Sequence, residues 1–169
     1  MAAGKTTVGK RIASKVNLPF YDSDKVIEYK FNMTVNDIFR KYGEEKFRSI
    51  EQEIILDYIH SNHHKGFIMS LGGGSFINES IRSAVLNEGV SVWLNANIEI
   101  ISLRLNNTKN TRPLLRKINT REKLIKLMNE RSEFYNKANI KIDIIKASKD
   151  NMATITLQKI YEYVKPNYE

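Results

Sequence analysis

A chain of 169 residues, 41% of them hydrophobic, holds enough apolar material for one packed core and too little for two ordinary domains. It has no cysteine, which excludes disulfides and thiolate metal sites and fits a reducing compartment, the cytoplasm. The net charge of +8 suits anionic partners, but the basic residues are dispersed and no aromatic-rich RNA-binding signature accompanies them, so nucleic acid is not an expected partner.

Apolar runs are about five residues long, far below the roughly 20 that span a bilayer, and no apolar region follows Lys5, Lys10 and Arg11 as a secretory leader would require. A membrane partner is therefore not expected either. In chain order, Val8, Ile12, Ala13 and Val16 recur at helical spacing over 5–16, and Asn17 with Pro19 ends the run. A short strand at Phe20 and Tyr21 reaches Asp22, and a second helix opens at Asp24 with Val26, Ile27 and Phe31 on one face. Thr34 with Asp37 predicts an N-cap for a short third helix, Gly43 punctuates it, and 44–60 reads as a longer amphipathic helix. A buried strand at 67–71 runs into Gly72-Gly73-Gly74. Then come a helix over 79–86, a strand over 90–94, a helix over 98–105, a polar arginine-containing stretch at 106–117, a helix over 120–135, a strand over 140–145 and a helix over 153–164. Strand and helix alternate with no internal repeat, which predicts a parallel sheet covered on both faces, with ligands at the carboxyl ends of its strands.

Ala3-Gly4-Lys5-Thr6-Thr7 is the second half of a G-x-x-x-x-G-K-[ST] loop, whose backbone N–H groups cradle phosphates at a helix N-terminus. Lys5 would reach the β and γ phosphates, and Thr6 would offer a hydroxyl to Mg²⁺. The motif's first glycine and its feeding strand would fall before Met1. A chain starting there is expected to lack a central strand, to fold poorly and to bind ATP weakly; the competing reading makes Met1 the true start of a divergent relative.

Asp22-Ser23-Asp24, Phe47-Arg48 with Glu51, Leu71-Gly72-Gly73-Gly74, Arg112-Pro113-Leu114-Leu115, and Arg131 with Tyr135 follow in order behind that loop. Together they resemble the shikimate kinase family over nearly the whole chain. The resemblance implies one α/β/α domain with a parallel sheet of nucleoside-monophosphate-kinase type, five strands in the family and four here. It also implies Mg²⁺-dependent phosphorylation of shikimate by ATP, in a monomer. Arg48 and Arg131 would fork the substrate carboxylate, because guanidinium matches that group bidentately. By the same resemblance Asp24 binds the attacking hydroxyl as candidate base, Asp22 holds Mg²⁺ through water, and Gly72, Gly73 and Gly74 let backbone approach the ring. The stretch 106–117 resembles the family's mobile lid, with Arg112 neutralising charge on the transferring phosphoryl group. Arg104 stands eight residues before Arg112 where the family's adenine-stacking Arg stands about seven before, and the loop at 146–151 would form the other wall of the base site.

Simpler readings compete at each position. Asp22 and Asp24 could cap a helix, Arg48 could pair with Glu51 on a solvated face, the glycines could make a tight turn, and Arg131 alone reads as a surface residue. Phe39 and Phe47 read as core, and His60, His63 and His64 as solvated. A gluconate-kinase-like or nucleotide-kinase-like enzyme, or a nucleotide-binding relative without turnover, remains as an alternative function.

Overall fold

The computed structural model describes residues 2–106, 121–144 and 149–165. Helix α1 (Lys5–Val16) opens on Gly4, whose φ of 93° lies in the left-handed region that glycine enters without steric cost. Its apolar stripe buries Val8, Ile12 and Ala13, and Asn17, also left-handed, closes it. Strand β1 (Phe20–Asp22) passes directly into α2 (Ser23–Phe31). Thr34 caps α3 (Val35–Asn62) as its pairing with Asp37 predicts: the Asp37 amide donates to Thr34 Oγ1 at 3.1 Å, and that hydroxyl donates to Asp37 Oδ2 at 2.6 Å. Gly43, with φ 80° and ψ 172°, breaks α3 into the two helices anticipated on either side of it.

Strand β2 (Ile68–Ser70), a 3₁₀ turn at Ser75–Ile77, α4 (Glu79–Glu88) and β3 (Val92–Ala96) come next. Asn78 caps α4 by accepting the Ile81 amide at 3.1 Å. After them stand α5 (Ile98–Asn106), α6 (Arg121–Tyr135), β4 (Ile140–Ile144) and α7 (Lys149–Val164). The last helix starts four residues earlier than the sequence indicates, because Lys149, Asp150 and Asn151 carry no apolar periodicity. The start of α6 at Thr120, the stretch 107–117 and residues 146–148 lie outside the described residues.

All four anticipated strands are present and all described pairing is parallel. They form two pairs, β1 with β2 and β3 with β4, and not one continuous ladder. A largely apolar cavity of about 340 Å³ lies between the pairs, lined by Ile68, Met69, Val92 and Leu94 from the facing strands and by Val8 and Ile12 from α1. One apolar cluster joins α1, β3, β4 and α7, a second joins α2 to α3 around Ile27 and Phe47, and a third packs Ile55 and Ile59 against Ile81. Among the described residues no helix is long and apolar enough to cross a membrane.

Candidate active site

The carboxyl ends of β1 and β2 carry the polar groups. In a parallel pair both strands end on the same side, so the segments at their carboxyl ends, 22–24 and 71–75, are brought together. Lys5, Thr6 and Thr7 occupy the first turn of α1, where helix N–H groups have no intrahelical partner and the helix dipole favours an anion. Thr6 Oγ1 donates to Asp22 Oδ2 at 2.8 Å, which brings together the two residues expected to hold Mg²⁺. Arg104, from α5, donates from Nη1 to the carbonyl of Ala2 at 2.9 Å and lies close over Gly4, so this guanidinium rests on the phosphate loop. Buried Ala3 anchors the loop in the core between α1 and β3.

The residues after Asp22 reach the opposite loop. The Gly72 amide donates to Ser23 Oγ at 2.9 Å, and Asp24 Oδ1 would stand 2.9 Å from a Cβ at Gly72. Glycine is required there by close approach: that Cβ would also meet Ser75 Oγ at 2.8 Å and Glu51 Oε1 at 2.9 Å. At Gly74 the obstacle is Arg48, whose guanidinium nitrogens would lie 2.7 and 2.8 Å from a Cβ. Arg48 is aimed by Glu51, which accepts from its Nη1 at 2.6 Å while only 1% exposed. A single buried carboxylate thus makes both the ion pair anticipated on the helix face and the orientation of the arginine. Phe47 lies beneath the guanidinium at 5.3 Å and meets the tilted ring of Phe39 at 4.4 Å; Phe47 belongs to the core cluster and the partly buried Phe39 packs against it.

From the other side α6 lies over the glycine loop. Tyr135 donates its hydroxyl to the Gly73 carbonyl at 2.5 Å, and one turn earlier Arg131 is 6% exposed. Its burial overturns the surface reading. The Nε of Arg131 has no hydrogen-bond partner among the described residues, an orphaned buried donor of the kind an anionic ligand satisfies. The pKa of Lys25 is raised chiefly by its hydrogen bond and charge pairing with Glu28, with smaller contributions from the carboxylates of Asp22 and Asp24.

Comparison with known proteins places the chain in a family. The shikimate kinase family model matches residues 1–162. The chain belongs to the shikimate kinase family. A shikimate kinase of Bartonella quintana is 39% identical over 164 residues, covering 97% of this chain and 76% of that one. One from Mesorhizobium japonicum is 42% identical over 135 residues, 80% of this chain and 64% of the relative. The solved shikimate kinase of Acinetobacter baumannii in complex with shikimate superposes with a TM-score of 0.83 at 31% identity, covering 96% of this chain and 89% of that one. The shikimate kinase of Aquifex aeolicus gives 0.78 at 27% identity over 96% and 92% of the respective chains.

As a shikimate kinase this chain is a phosphotransferase with the P-loop α/β architecture of its solved relatives. Arg112 and 107–117 of the anticipated lid lie outside the described residues. His60 lies 3.2 Å from Glu88, a partner that sequence spacing did not suggest, and no metal-ligating cluster of His, Asp and Glu occurs among the described residues. Sequence reading also missed Ser75 and Arg82. Arg82, 8% exposed, donates from Nη1 to the carbonyls of Phe76 and Ile77 at 3.2 and 2.8 Å, behind the glycine loop. It directly follows Ile81 on α4, and consecutive helix residues face different directions, so spacing gave no signal of its burial; once packed indoors its charge had to find partners.

Proposed function

We propose that this chain transfers the γ-phosphoryl group of ATP to the 3-hydroxyl of shikimate. The observation that carries the reading is the three-residue run Asp22-Ser23-Asp24. Asp22 accepts from Thr6 on the phosphate loop, Ser23 accepts from Gly72, and Asp24 lies against Gly72. One short segment therefore links a phosphate-binding turn to a carboxylate-binding loop, which is the spatial requirement of direct transfer between two bound substrates.

Lys5 and the N–H groups of Gly4 to Thr7 bind the phosphates, and Arg104 fixes the loop by holding the Ala2 carbonyl. Arg48 and Arg131 take the carboxylate of the acceptor, and Asp24 accepts the proton of its attacking hydroxyl as the bond from phosphorus to ADP breaks. Thr6 Oγ1 and Asp22 Oδ2 are hard oxygen donors suited to Mg²⁺, Asp22 acting through water. When bound, the ion would supply neutralisation of phosphate charge. Arg112 joins that task on the strength of the family resemblance. The same reading makes the protein a cytoplasmic monomer built as a single domain.

A coupled ADP-release assay offering shikimate, gluconate and each nucleoside monophosphate tests the reading. Release with shikimate alone is the expected result. Release driven by a nucleoside monophosphate or gluconate, or none with any acceptor, would reassign the site.

A further inference from the structure

We propose that Ser75 is a positioning residue for Arg48, acting through the buried carboxylate of Glu51. Ser75 opens the 3₁₀ turn after the glycine triplet and is fully buried, 0% exposed. Its hydroxyl lies 2.7 Å from Glu51 Oε1 and 3.1 Å from the Gly72 carbonyl. A hydroxyl has one proton, and the shorter contact, to the carboxylate, has the length of a charge-assisted bond. Glu51 spends its other oxygen on Arg48 Nη1 at 2.6 Å. Each oxygen of this buried carboxylate therefore has its own fixed donor, one on the substrate side and one behind.

The consequence is directional. Arg48 keeps 28% of its side chain exposed and makes its other ion pair, with the exposed Glu44, at 3.5 Å, so Glu51 is its close restraint. Without the Ser75 hydroxyl, Glu51 Oε1 loses its hydrogen-bond donor among the described residues, and the carboxylate turns to recover one. The guanidinium turns with it. Ser75 itself touches neither substrate; it sets the angle at which Arg48 meets the acceptor's carboxylate, and so acts on acceptor affinity and not on phosphate chemistry.

The proposal rests on the reading of Arg48 as the acceptor's carboxylate site, and a double-mutant cycle on the full chain tests the two separately. Ser75→Ala, Arg48→Lys and the double variant are assayed with shikimate and ATP varied in turn. The expected result is a rise of about three- to tenfold in the shikimate KM for Ser75→Ala, the effect of one hydrogen bond, with the ATP KM and kcat within about twofold. In the Arg48→Lys background the same change should move the shikimate KM by less than about twofold, because the group that Ser75 acts through is already lost. Equal factors in both backgrounds, a parallel rise in both KM values, or no rise at all would overturn it. Should Ser75→Ala not fold, Ser75→Cys fills the site with a somewhat larger group and a weaker donor, and must give the same pattern. An unchanged shikimate KM in Arg48→Lys alone would instead sink the Arg48 reading, and this inference with it.

Discussion

At the scale of single residues, the site separates groups that meet phosphate from groups that meet the acceptor. Lys5→Met removes a charge at the first turn of α1 and leaves in place the side chains of Ser23 and Tyr135 that bond the glycine loop. Turnover should vanish while shikimate still binds, and Trp93 provides the readout: it is the one tryptophan of the chain and lies 5.8 Å from the Tyr135 ring that holds the loop. Retained turnover would remove the phosphate loop from the mechanism. Asp24→Asn keeps the shape and loses the proton acceptor, so kcat should fall by at least about a hundredfold; a kcat within about threefold of the parent would leave Asp24 as a helix residue only. Arg131→Lys should raise the KM for shikimate far more than that for ATP, since ammonium cannot reproduce a planar fork in a buried position. Equal effects on the two substrates would make Arg131 a structural group.

At the scale of elements, the glycine loop between β2 and α4 is fixed by side chains from four helices: Ser23 of α2, Glu51 of α3 through Ser75, Arg82 of α4, and Tyr135 of α6. Gly74 shows how such a loop can be tested without breaking the fold. Its φ of −111° and ψ of −15° suit alanine, so the backbone is not strained by substitution. The added methyl would instead meet Arg48 Nη2 at 2.7 Å, the far end of a flexible side chain that can move away. Gly74→Ala should therefore raise the shikimate KM on the order of tenfold, with Tm within about 2 °C of the parent. Steady-state kinetics beside a thermal melt checks this. A large loss of Tm with an unchanged KM would show that the loop carries stability and not recognition.

For the whole molecule, stability and chemistry occupy different places. The third apolar cluster joins α3 to α4 through Ile55, Ile59 and Ile81, none of them a residue assigned to either substrate. Ile81 is fully buried, and Ile81→Ala removes methyl groups that its neighbours can only partly refill. The expected cost is about 2–5 kcal/mol, or roughly 5–15 °C in Tm for a chain of this length. Calorimetry measures it directly, and a change below about 2 °C would mean that the cluster is looser than its burial indicates.

The sequence by itself determined the order of strands and helices, the phosphate turn at Gly4-Lys5-Thr6, and the acidic run at 22–24, because each is written in local spacing. Apolar periodicity, a cap at Thr34 and the break at Gly43 act over a few residues, and the structure holds them where they were expected. Tertiary structure decided what spacing cannot encode. The burial of Arg131, the Tyr135 bond to Gly73 and the pairing of Ser75 with Glu51 join residues 24 or more positions apart, or depend on which face of α6 turns inward. A serine after three glycines looks locally like any turn residue, and an arginine on a polar helix like any surface charge. What distinguishes them is the low-dielectric surroundings that packing creates, where each polar group must be met by a specific partner or a ligand.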